Sequence, residues 1–159
     1  MKMRVALMAL LVAGPALGDA PLAPAADYST TVSGVTVTAV LATDTTRIRA
    51  TGVDWIIPHW LRFVYPSPDG RAVLALADTG NLIGTNDPDQ IVLTLFRAGS
   101  AEPLEASVSA LMRPAALRQT MSGYAWMDGL VWENGGWTLT LTDGGVILID
   151  PVTAVFTRQ

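Results

Sequence analysis

The stretch from Trp137 to Asp150, WTLTLTDGGVILID, alternates apolar and polar residues on both sides of Asp143-Gly144-Gly145. Side chains along a strand point to opposite faces with a period of two, so the pattern describes a hairpin with one buried face. A chain that contains such a hairpin must supply a second layer to cover that face. The pattern has an earlier counterpart. At an offset of 65 positions, Asp69-Gly70 falls on Asn134-Gly135, Leu74 on Leu139, Leu76 on Leu141, Asp78 on Asp143, Gly80 on Gly145 and Leu82 on Ile147. The counterpart predicts a strand over 71–77, a turn over 78–81 and a return strand beginning at Leu82-Ile83. The same offset lays Val155-Phe156 on Gln90-Ile91, which predicts a matching fourth strand.

The rest of the chain is also strand-like. Thr31 to Leu41 is rich in Val and Thr and alternates after Gly34, a strand signal, and Arg47-Ile48-Arg49 alternates again. Trp55 to Tyr65 is the densest apolar run. Pro58 lacks a ladder donor and splits it into Val53–Ile57 and Leu61–Tyr65. Gln90 to Arg97 is a clear strand, Ala98-Gly99-Ser100 a turn, and Leu104, Ala106 and Val108 alternate on the return. Residues 110–119 are helical in composition. Pro114 divides them into two short turns, the second starting at that proline, with Ser107 or Ser109 as N-cap. From Leu130 onward the pattern is a four-stranded antiparallel meander. The expected fold is therefore mainly β, with antiparallel meanders in one domain over 31–159 and one short helical insertion at about 109–119. Leu74, Leu76, Leu139 and Leu141 are expected in the core. The two related units are expected in one continuous sheet system. The insertion is expected to pack on it, with Phe96 and Leu104 as its floor.

The first residues have a different character. Lys2 and Arg4 precede an apolar run, Val5 to Ala13, then Gly14-Pro15 and the small residues of Ala16-Leu17-Gly18. This is the pattern of a secretory signal peptide cut before Asp19. Its apolar run is shorter than the ~20 residues that span a bilayer, so no stable membrane insertion is expected after cleavage. Residues 19–30 are Pro/Ala-rich and read as a flexible leader. The chain has no Cys, which excludes a disulfide framework. Small eukaryotic secreted domains usually carry disulfides, so a bacterial periplasmic or secreted location is expected.

Cleavage would leave eight Arg, no Lys and 14 acidic residues, a formal charge of −6. Such a surface repels phosphate backbones, so nucleic acid is not an expected partner. Without Lys there is no Schiff-base or phosphate-loop chemistry. His59 is the only histidine and the only imidazole available for acid–base catalysis, with Asp54 near it in sequence. Asn86, Asp87 and Asp89, following Asp78 and Asn81, could offer oxygen ligands to Ca²⁺, although EF-hand spacing is absent. A solvated turn is the simpler account of Asp87 and Asp89. Of five Trp, alternation places Trp137 and Trp132 on a core face, while Trp60 and Trp126 stay open for stacking on a sugar. No cofactor is expected. The catalytic inventory is thin, so the expected function is a non-catalytic binding or assembly module of the cell envelope with a protein partner. The alternatives are a hydrolase-like enzyme using His59 and a glycan-binding module using exposed Trp.

The runs SPDGRAVLALADTGNLI (67–83) and ENGGWTLTLTDGGVILIDPVTAVF (133–156) resemble blades of bacterial β-propellers of the WD-repeat and quinoprotein kind. In those proteins a Pro-Asp-Gly turn leads into the second strand of a blade and an Asp-x-x-Thr turn into the fourth. The resemblance implies two blade-like units. The chain departs from the family's pattern in its period, lengthened by residues 98–120. It is also short for a closed ring of at least four blades of ~40 residues. No functional residue carries over, because function on such scaffolds lies in variable loops.

Overall fold

The computed structural model describes residues 22–84 and 87–159. The expected signal peptide, and Asn86 of the acidic loop, lie outside the described residues. Strands β1 (Tyr28–Val32), β2 (Val35–Val40), β3 (Thr45–Ala50) and β4 (Val53–Ile57) form a first antiparallel meander in chain order. Strands β5 (Phe63–Pro66) and β6 (Ala72–Leu76) open a second. The chain leaves it for β7 (Leu82–Ile83) and returns as β8 (Ile91–Arg97) and β9 (Leu104–Ser107), giving the order β5-β6-β8-β9. Helix α1 (Val108–Leu111) and a 3-10 turn at Pro114–Ala116 lead to β10 (Arg118–Gln119) and β11 (Tyr124–Ala125), which join β7 in a small sheet. Strands β12 (Met127–Glu133), β13 (Gly136–Leu141), β14 (Val146–Asp150) and β15 (Val155–Arg158) close the chain as a further four-stranded meander, the third sheet. The mainly β, antiparallel architecture with one short helical insertion is as the sequence predicts, and a four-stranded sheet over 28–57 is added to it.

That first sheet begins at Tyr28, ahead of the expected domain start at residue 31, because Thr31–Leu41 is not one strand. Ser33 (φ 52°) and Gly34 (φ 82°) form a two-residue turn with both residues left-handed, and β1 pairs back on β2 from Tyr28↔Ala39 to Val32↔Val35. Asn134 (φ 51°) and Gly135 (φ 84°) make the same turn between β12 and β13. This turn twists with the strands it joins, which is why it favours Gly at its second position.

The three four-stranded sheets stack by their side chains. Val35, Val37, Ile48 and Ile57 of the first sheet pack against Val73, Val64 and Phe96 of the second. The opposite face of the second sheet carries Ala72, Leu74, Leu76, Leu93, Leu95 and Ala106. It shares a larger core with Trp137, Leu139, Leu141, Ile147 and Ile149 of the third. The second sheet is thus the middle layer, and all five residues of β6 are buried. The four leucines expected in the core are there.

Three expectations need correction. The units at 67–83 and 133–156 do not lie in one continuous sheet; they are separate sheets joined by a shared core. Leu82-Ile83 is not the return strand of β6. The Asp78–Asn81 turn closes with Gly80 N–H donating to Ala77 O at 2.7 Å, and β7 then pairs with β11. The partner of β6 is β8, with Leu74↔Leu95 and Leu76↔Leu93. A strand of seven residues buries far more apolar surface there than Leu82-Ile83 could. The 65-residue offset therefore aligns β5 with β12 and β6 with β13, and fails for the third and fourth strands. Finally, Phe96 is not the floor of the insertion. It pairs with Val73 and faces the first sheet, because adjacent residues on a strand point oppositely. Leu104 does share a core with Val108, Leu111, Met112 and Leu117 of the insertion.

The insertion closes the end at which β6 and β13 finish. Trp126, fully buried, fills the space between the sheets there, and its indole N–H donates to Gly80 O at 3.0 Å. Arg158 of β15 donates to Leu111 O at 2.6 Å and pairs with Asp143 at 2.7 Å. A register shift between Ile91 and Leu93 lets the neighbours Val92 and Leu93 both enter the core.

Candidate functional site

The opposite end of the second and third sheets stays open. Four turns meet there: Ser67 to Ala72 between β5 and β6, Arg97 to Ser100 between β8 and β9, Asn134-Gly135 between β12 and β13, and Pro151-Val152 between β14 and β15. They border a cleft of about 690 Å³ lined by Pro68, Asp69, Arg71, Arg97, Trp132 and Val152 among others.

Each wall is fixed locally. Ser67 is buried; its hydroxyl donates to Asp69 Oδ1 at 2.6 Å and accepts the Ala72 N–H at 3.0 Å. Asp69 also accepts the Arg71 N–H at 3.0 Å. The Ser67 hydroxyl and then the Arg71 amide hold its carboxyl below the usual carboxylate range. Gly70, at φ +70°, turns the chain where a Cβ would lie 2.8 Å from Ala50 Cβ of the first sheet. Its carbonyl accepts the Trp55 indole N–H at 2.8 Å, so the first sheet braces the turn from behind. On the other wall, Asp150 Oδ1 accepts the Val152 N–H at 2.7 Å and the Thr153 N–H at 3.2 Å. Arg97 donates to Val152 O at 3.2 Å and so spans from the second sheet to the third. The half-buried Trp132 pairs with Trp137 across β12 and β13, edge to face at 4.8 Å, which fixes its ring.

The residues singled out from the sequence lie elsewhere. His59 is exposed, with Nδ1 4.0 Å from Asp44 Oδ2, and its side chain makes no hydrogen bond among the described residues. Asp54, its neighbour in sequence, is instead gripped by Arg47 at 2.7 and 2.6 Å on the outer face of the first sheet, which lowers its pKa. Asp87 Oδ1 accepts the Asp89 N–H at 2.9 Å, the geometry of a capped turn. Among the described residues no three His, Cys, Asp or Glu side chains gather as a metal site would require. Trp126 offers no face to a sugar, being fully buried. Trp60 is half-buried, with its N–H on Ala26 O at 3.2 Å, Tyr28 edge-on at 6.3 Å and the Arg62 guanidinium 5.2 Å over its ring.

Trp132, Arg71 and Arg97 are the residues that sequence reasoning missed. Alternation places Trp132 on the core face correctly, but says nothing of its place along the strand. The signal was the adjacent Asn134-Gly135 turn, which puts Trp132 at the rim. At the 65-residue offset it falls on Ser67, which lines the same cleft. No helix among the described residues is long and apolar enough to cross a membrane. No protein-family model, curated protein or solved structure matches the chain.

Proposed function

We propose that the protein is an exported, non-catalytic binding or assembly module of the bacterial cell envelope, and that the cleft between the second and third sheets is its binding site. The observation that carries this reading is the cleft itself, large enough for a small molecule or a peptide end and built from four braced turns. By contrast, the single imidazole is exposed, and the one carboxylate it approaches among the described residues, that of Asp44, lies 4.0 Å away, which does not support hydrolysis. The signal-peptide pattern supports export, and the propeller-blade resemblance supports a scaffold that binds through its turns.

Capture from periplasmic extract on wild type and on Trp132→Ala tests the site. A partner held by wild type and lost from the variant, while circular dichroism shows the variant still folded at the capture temperature, supports the reading. Equal capture removes the cleft from it. Intact mass of the exported protein tests the export step: retention of Met1 to Gly18 contradicts it. Glycan binding is the second reading, favoured by the Trp132 ring in the cleft rather than by Trp60 or Trp126. A glycan array on wild type and Trp132→Ala separates the two.

A further inference from the structure

The charges of the cleft are unevenly satisfied. Among the described residues three formal charges line it: Asp69, Arg71 and Arg97. Asp69 accepts the Ser67 hydroxyl and the Arg71 amide on Oδ1, within its own turn, and the nearby Arg71 charge favours its ionised form. The cations are less engaged. The Arg71 guanidinium makes no hydrogen bond or ion pair among the described residues, and Arg97 uses one N–H, on Val152 O. Asp150, which precedes the far wall and does not line the cleft, accepts the Val152 and Thr153 amides on Oδ1. A chain of formal charge −4 therefore presents an excess of one positive charge here, with unspent guanidinium donors. Beside them stands the Trp132 ring, held edge-on to Trp137, with Pro68, Pro151 and Val152 as further apolar wall. Guanidinium donors recognise planar oxyanions with two parallel hydrogen bonds, and an indole face packs against an aromatic ring or the apolar C–H face of a pyranose.

We propose that the cleft binds a carboxylate carried on a six-membered ring, the carboxylate on Arg71 and Arg97 and the ring against Trp132. The proposal rests on the cleft being the binding site and adds the chemical class of its ligand. Two ring sources share that chemistry, an aromatic acid and a uronic acid.

The test follows the Trp132 indole N–H of ¹⁵N-labelled protein by NMR, assigned through Trp132→Phe, while benzoate, glucuronate or benzamide is added. Saturable shifts with benzoate or glucuronate, and none with benzamide, are expected. Whichever acid gives them identifies the ring source. Arg71→Gln, which removes a side chain without an intramolecular partner, is expected to weaken that binding about tenfold or more at unchanged melting temperature. Benzamide binding as well as benzoate, with Arg71→Gln without effect, would overturn the carboxylate assignment and leave the cleft standing as a binding site. Absence of any Trp132 shift at millimolar probe would overturn the proposal too. The Trp132→Ala capture experiment then decides separately whether the cleft binds a larger partner.

Discussion

Strands β6 and β13 hold the same place in their sheets, second of four, yet read differently: AVLAL against WTLTL from Trp137. Leu74 and Leu139 match, as do Leu76 and Leu141, and all four face the core shared by the second and third sheets. The intervening residues differ. Val73 and Ala75 stand where the third sheet has Thr138 and Thr140. Val73 is wholly buried under the first sheet, whereas Thr140 is exposed and Leu148 of the same outer face is 41% exposed. The loss of alternation in β6 is thus the mark of a middle layer, and its retention in β13 the mark of an outer one. The first sheet shows what an outer face can be: Arg47, Arg49 and Asp54 pair across it, and Ser29–Thr38 and Thr31–Thr36 hydroxyls meet at 3.1 and 3.0 Å.

The largest effects should be alike in the two strands. Leu74→Ala and Leu139→Ala each leave a cavity in one shared core, and each should cost ~2–5 kcal/mol in urea denaturation. A loss at one position only would break the shared core apart.

The next effect should separate them. Gly70 and Gly135 are related by the 65-residue offset, and both have positive φ, +70° and +84°. An added Cβ at Gly135 meets nothing within 4 Å, whereas at Gly70 it meets Ala50 Cβ at 2.8 Å. Both Ala variants carry backbone strain, and Gly70→Ala should cost about 1–3 kcal/mol more. Equal costs would mean that the first sheet does not press on the Asp69-Gly70 turn.

The smallest effect concerns pH. The Arg158 hydrogen bond, then the Gly145 amide, depress the pKa of Asp143. Its carboxyl contributes stability that is fully present above the unfolded value of about 3.9 and is lost as pH falls through the lower folded value. Asp143→Asn should therefore lower stability at neutral pH by roughly 0–1 kcal/mol, with the difference from wild type vanishing in acid. A difference that grows toward acid would have the wrong sign.

Much of this was legible in the sequence. Alternation located the core leucines, and Pro114 located the break between α1 and the following 3-10 turn. The pairing of β6 with β8 was not legible, because a local pattern cannot show that the chain leaves a sheet and returns after an excursion. Trp126 was misjudged because it follows the two-residue strand β11, too short to carry a phase. The cleft escaped because its walls come from four turns distant in sequence; only the Asp69-Gly70 and Asn134-Gly135 likeness hinted that two of them share a rim.

The stacking order itself is open to direct measurement, since the chain contains no cysteine. Val73→Cys and Thr140→Cys place single thiols on the faces of the second and third sheets that point away from their shared core. In native buffer the thiol at 140 should react with a soluble disulfide reagent as a free thiol does, and the thiol at 73 only as fast as the whole protein unfolds. Equally fast reaction at both positions would contradict the placement of the second sheet between the other two.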